Sequence, residues 1–231
     1  MLGCLKQLMS ADADDDAYID LPRQKWDWSF YRMMKKFVMF CCMLGWSAGL
    51  FQIADAKAGV PTDQIRATVD HVLTILKDPK LNATGAKEAR RLELSKAILP
   101  RFDFEEMAKR SLGAEWRRRT PAQQQEFVRL FTALLKESYV GSIESYHGDK
   151  VFYRREFQDG DFAEVGTQMI DKNGQEVSID YRLNREGSEW KVYDVIIENI
   201  SIVNNYRSQF QRILNRSSFA DLLQRISDKV Q

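Results

Sequence analysis

The chain is poor in the residues that most site chemistry requires. Its only histidines are His71 and His147, too few and too far apart in sequence for a zinc cluster. All three cysteines, Cys4, Cys41 and Cys42, lie near the N-terminus, so the remainder supports neither a disulfide nor a thiol nucleophile. There is no serine elbow, no Cys/His pair, no glycine-rich phosphate loop and no internal repeat. Net charge is only +1, and basic and aromatic residues are not interleaved as in single-strand binders, so no nucleic-acid partner is expected. What is abundant is apolar: 44% of 231 residues, enough to bury a sizeable core in one domain with an appendage.

The appendage comes first. Arg32, Lys35 and Lys36 precede an apolar run from Phe37 to Phe51, and Ala54-Asp55-Ala56 follows with small residues where a signal peptidase reads. Residues 33–56 therefore read as a cleaved signal peptide; an uncleaved anchor is the alternative, since the run approaches the length of a spanning helix. Residues 1–32 are polar, carry the acidic run Asp12 to Asp16, and read as a non-native or disordered extension, with translation starting at Met33 or Met34. Residues 1–56 hold six of the 34 Lys/Arg and seven of the 33 Asp/Glu, so the exported part, residues 57–231, is near +2.

In that part the hydrophobic period changes once. Pro61-Thr62-Asp63 opens a helix with Ile65, Val69, Val72, Leu73 and Leu76 on one face, ended by Asp78-Pro79. A charged helix follows, roughly Ala86 to Leu99, with Leu92, Leu94 and Ile98 as its apolar residues. Asp103 is an N-cap, with Glu106 three residues on, for a stripe of Phe104, Met107, Ala108 and Leu112 that ends at Gly113. Thr120-Pro121 with Gln123 starts a long helix to about Ser145, whose apolar sector is too wide for one contact surface and is read as sandwiched or lining a cavity. From Lys150 the period is two. Strands are expected over 151–157, 162–170, 176–184 and 189–197, joined at Asp159-Gly160, Asn173-Gly174 and Glu186-Gly187. Two helices close the chain, about Asn204 to Asn215 and then Phe219 to Val230. The class is α+β: an antiparallel sheet of at least four strands packed against several helices.

Trp190 to Phe210 organises this arrangement. It reads as a strand that runs without Gly or Pro straight into a helix, with Trp190, Val192, Ile196, Ile200 and Ile202 on one parity. The region between sheet and helices is the natural place for a pocket. Asp180, Asp194 and Glu198 lie in apolar strands, where a desolvated carboxylate can serve as a base; Arg182 and Arg207 are available to pair with them instead. The basic run Lys109 to Arg119 reads either as a phosphate or membrane-surface patch or as a solvated helix end.

Several of these residues together resemble the MlaC family of periplasmic phospholipid shuttles, also known as toluene-tolerance proteins. They are Phe102-Asp103-Phe104, Met107-Ala108, Leu112-Gly113, Trp116, Thr120-Pro121, Gln123, Phe127, Phe131, Leu134-Leu135 and Tyr139; then Tyr181, Trp190-Lys191-Val192-Tyr193-Asp194-Val195 and Asn205-Tyr206-Arg207-Ser208-Gln209-Phe210. The likeness spans about Thr62 to Val230; the N-terminal extension departs from it, as does Asn199, where the family more often has Gly. It implies an apolar ligand cavity with a bound phospholipid as cargo and no other cofactor. The implied partners are an outer-membrane lipoprotein complex and an inner-membrane ABC transporter with a lipid-binding substrate domain, met by a monomer that is not an enzyme. Apolar periodicity on the long helix and the facing strands nominates Trp116, Phe131, Leu135, Tyr139, Tyr181, Val192, Ile196 and Tyr206 as lipid-pocket residues; no catalytic or metal-ligating residue is expected. A membrane-anchored interaction module with a filled core, and a small enzyme with a carboxylate base in an apolar pocket, are the competing readings.

Overall fold

The structure, a computed structural model, describes residues 59–144, 146, 150–170 and 174–230. The extension, the expected signal peptide with Phe37 to Phe51, and the turn residue Asn173 lie outside the described residues. So do Ser145 and His147.

Among the described residues the chain forms helices, then a sheet, then helices, as the change of period predicts. Helices α1 (Val60–Lys77), α2 (Lys87–Ile98), α3 (Phe104–Leu112) and α4 (Pro121–Glu144) precede strands β1 (Lys150–Asp159), β2 (Phe162–Ile170), β3 (Glu176–Glu186), β4 (Glu189–Ile197) and β5 (Ile200–Ser201). Helices α5 (Ile202–Leu214) and α6 (Phe219–Val230) follow. The sheet is an antiparallel meander in sequence order, β1-β2-β3-β4-β5. Gly160, Gly174 and Gly187 sit at its turns with φ of 56°, 75° and 60°, a conformation that an L side chain resists.

The helix starts follow their local chemistry. Asp103 accepts the Glu106 backbone N–H at 2.8 Å. Thr120 and Gln123 close a reciprocal capping box, with Gln123 N–H donating to Thr120 Oγ1 and Thr120 N–H to Gln123 Oε1. Helix α1 lacks a cap of its own at Gly59, and a distant residue supplies one: Glu156 on β1 accepts the Thr62 N–H at 2.8 Å. A methyl group on Gly59 would stand 1.9 Å from that carboxylate, so the cap depends on glycine there. Gln64 fastens the other side of α1 to the β3–β4 hairpin, accepting from Trp190 N–H and donating to the Ser188 carbonyl.

Two expectations fail here. The passage from β4 into α5 is not continuous: Glu198 and Asn199 both adopt left-handed φ, 49° and 67°, and fold Ile200–Ser201 back onto β4 before α5 begins. Asn tolerates that conformation better than most residues, which is why no glycine marks the turn. The even parity of Trp190, Val192 and Ile196 also breaks, because the ladder skips Tyr193: Leu183 pairs with Val192 and Arg182 with Asp194. Beyond that bulge Val195 and Ile197, opposite Tyr181 and Ile179, carry the core face, and Ile196, opposite Asp180, turns to the other. On α2, Leu94 is buried and Leu92 is 53% exposed.

The core lies between the helices and the face bearing Ala163, Val165, Leu183 and Val192. Its centre is aromatic: Phe127 stacks on Phe131, Phe210 meets both edge-on, and Tyr206 meets Phe131 at 5.2 Å between centroids. Helix α4 packs on α6, α3 and α2, which accounts for its wide apolar sector.

Candidate functional site

Burial varies along the core face. At the end where β2 and β3 meet the β3–β4 hairpin, Ala163, Val165, Leu183, Trp190 and Val192 are all buried. At the opposite end the alternation continues through Tyr153, Met169, Tyr181 and Ile197, residues that belong to the same apolar cluster yet are only half-buried. Tyr139, on the C-terminal half of α4, is in the same state. These half-buried side chains stand among fully buried ones on the same face, Thr167, Val177, Ile179 and Val195.

Burial pushes the Tyr181 hydroxyl up to about 12, and those of Tyr139 and Tyr153 further still. Tyr206 is raised by the same cause, partly offset by its 3.3 Å hydrogen bond to Ser138 Oγ. Tyr139 and Tyr181 thus lie deep enough to be desolvated and still keep accessible surface. The Tyr153 hydroxyl is buried without a hydrogen-bond partner among the described residues, an uncommon state for a phenol.

Of the eight residues nominated from the sequence, Tyr139 and Tyr181 are half-buried and desolvated. Leu135 is buried one turn before Tyr139, toward the filled core. Phe131, Tyr206 and Val192 are packed core; Phe131 and Val192 have no exposed surface at all. Ile196 lies on the far face of the sheet, for the reason given above. Trp116 sits in the 3-10 turn after α3 (Gly113–Arg118), half-buried, beside a cavity at the β4 edge. Tyr153, Met169 and Ile197, half-buried on the core face, were not nominated. The first two could have been read from strand alternation, but Ile197 could not, because its parity depends on the bulge at Tyr193.

The three carboxylates are engaged structurally, Asp180 and Asp194 on strands and Glu198 not on a strand, as expected, but in the turn between β4 and β5. Asp180 pairs with Arg155 at 3.0 Å, and Glu198 accepts the Ser178 N–H at 2.6 Å. Asp194 accepts from Ser201 Oγ and from the Val203 N–H, with Arg182 at 3.7 Å. Arg207 is partner to none of them. Among the described residues no three His, Cys, Asp or Glu side chains stand where they could hold a metal ion. No helix among these residues is long and apolar enough to cross a membrane.

A family model described as MlaC protein matches residues 66–228. The toluene tolerance protein ttg2D of Pseudomonas putida is 27% identical over 169 residues, covering 72% of this chain and 79% of that protein. The intermembrane phospholipid transport system binding protein MlaC of Haemophilus influenzae is 24% identical over 131 residues, covering 54% of this chain and 61% of its own length. A phospholipid-binding protein of Ralstonia solanacearum, solved in complex with a phospholipid, superposes with a TM-score of 0.66 at 28% identity, covering 75% of this chain and 97% of that one.

Proposed function

The chain belongs to the MlaC family, and from that premise we propose that it is a phospholipid-binding transport protein of the periplasm. In this reading it shuttles lipid between an outer-membrane complex and an inner-membrane ABC transporter and so maintains outer-membrane lipid asymmetry. The observation that carries the reading is the set of half-buried apolar and tyrosine side chains Tyr139, Tyr153, Met169, Tyr181 and Ile197, which we read as the border of a recess for acyl chains. A soluble carrier must shield acyl chains from water, and each buried CH₂ contributes roughly 0.8 kcal/mol. It must also release them, which favours a compliant wall; Met169 is the unbranched, adaptable residue at that place. The named relatives, a phospholipid transport binding protein and a phospholipid complex, supply the cargo class. Export is carried by the signal-like residues 33–56. No catalytic step is assigned, since Asp180, Asp194 and Glu198 are all committed to ion pairs or backbone donors.

Native mass spectrometry of the full-length protein purified without detergent, followed by organic extraction, tests the reading. A stoichiometric phospholipid adduct is expected. A bare mass that persists after incubation with phospholipid vesicles would overturn it and favour a filled-core interaction module.

A further inference from the structure

Five cations, Lys109, Arg110, Arg117, Arg182 and Arg207, converge on a cavity of about 330 Å³ on the rim where α3, its 3-10 extension and the start of α5 meet β4. Three are already compensated. Lys109 and Arg110 share Glu106, each at 2.8 Å, and Arg182 bridges Glu164 at 3.2 Å and Asp194 at 3.7 Å. Asp194, the carboxylate bordering the cavity, is spent on Ser201 and the N-terminus of α5. Arg118 and Arg119, next in the basic run, both pair with Glu115. Arg117 and Arg207 are different: among the described residues neither has a carboxylate partner or a hydrogen bond, and both face the same cavity. The guanidinium of Arg207 is laid against Gly113, so closely that a methyl group there would meet Nε and Nη2 at 3.1 Å.

A run that pairs its neighbouring cations with acids and leaves two arginine forks free around one concavity is arranged for an incoming anion. Guanidinium forks match phosphate oxygens in bidentate geometry. The cavity is at the small end of ligand sites, sized for a headgroup and not for acyl chains. Trp116 and Tyr193 border it, the latter under Arg110 at 4.1 Å, and supply an apolar flank for ester substituents. We infer that this cavity is a phosphate-binding site, with Arg117 and Arg207 as its primary ligands and Lys109 and Arg182 as supporting charges. The phosphate comes from a lipid headgroup or from free phosphate, and the first source rests on the carrier reading above.

The test follows the Gly113 and Asn204 amide resonances of the full-length protein during titration with inorganic phosphate, in the wild type and in an R117Q/R207Q double variant. Both side chains are exposed and unpartnered, so the variant should melt with the wild type. Saturable wild-type shifts, weakened about tenfold or more in the variant, establish a free-phosphate site. No response to inorganic phosphate, together with a variant-dependent ³¹P resonance of lipid-loaded protein, assigns the site to a headgroup. Shifts that the variant retains unchanged, or no response in either arm, overturn the site. Lipid content by mass is read separately: a lipid-loaded protein with neither response keeps the carrier reading and loses the site. A lipid-free protein that binds phosphate does the reverse.

Discussion

The carboxylate of Asp194 holds the N-terminus of α5, accepting the Val203 backbone N–H at 3.1 Å from the strand that the helix flanks. The bulge at Tyr193 turns Asp194 to the face where it can do this, and Ser201 completes the motif by donating to Asp194 and accepting from the Asn204 N–H at 3.0 Å. Asp194→Ala leaves a buried N–H unsatisfied and should cost about 1–3 kcal/mol in urea unfolding. Ser201→Ala should cost about 1 kcal/mol, and the double variant less than the sum, because both act on one cap. Strict additivity would mean that the two side chains act independently.

Gly113 has two constraints at once. Its φ is 60°, and Arg207 lies across it. Gly113→Ala should therefore destabilise by about 1–2 kcal/mol from backbone strain alone, with a further loss from displacing the guanidinium. Combining it with Arg207→Ala separates the two: the steric part should vanish and the backbone part remain. Full rescue by Arg207→Ala would show that φ contributes nothing.

Filled core and open recess respond differently to substitution. Phe131→Ala removes the ring between Phe127, Tyr206 and Phe210 and should cost about 3–5 kcal/mol. Met169→Trp adds volume where Met169 is only half-buried, so the fold should persist while the lipid recovered per protein drops. Thermal melting with lipid mass analysis checks both. Met169→Trp protein that unfolds would make this end of the sheet ordinary core.

Much of the architecture was legible in the sequence because its signals are local. Asp159-Gly160 and Glu186-Gly187 mark hairpins by the left-handed glycine they need, and Thr120-Pro121 with Gln123 states a helix start within four residues. The bulges at Arg154 and Tyr193 have no such signature. Each inserts one residue and reverses every later side chain of its strand, so Ile196 was assigned to the core in place of Ile197. The turn at Glu198-Asn199 lacked glycine and read as continuous chain. For the candidate site, the apolar excess of α4 is in the sequence, but whether Phe131 or Tyr139 keeps accessible surface depends on how far α4 stands from the sheet. The unpaired state of Arg117 was equally hidden, since its neighbours Arg118 and Arg119 differ from it only in reaching Glu115.

The desolvated tyrosines make a prediction about alkaline stability. Tyr181 is raised to about 12, and Tyr139, Tyr153 and Tyr206 are raised as well, all chiefly by burial, whereas an unfolded tyrosine ionises near 10. Between these values the native chain keeps protons that the unfolded chain has released, so stability falls as pH rises. This contribution is fully present below about pH 10 and is lost as pH climbs through the folded-state values, from about 12 upward for Tyr181. Urea midpoints should be flat with respect to tyrosine titration below pH 9 and decline steeply above 10. Phenolate absorbance should show these four ionising only with loss of near-ultraviolet dichroism. Bound lipid that fills the recess would exclude water from Tyr139 and Tyr181 still further, so the lipid-loaded protein should begin its decline at higher pH than the extracted one. If all eight tyrosines of the chain titrate together near pH 10 with the fold intact, the recess is wet and open, and it is not a place where acyl chains are shielded.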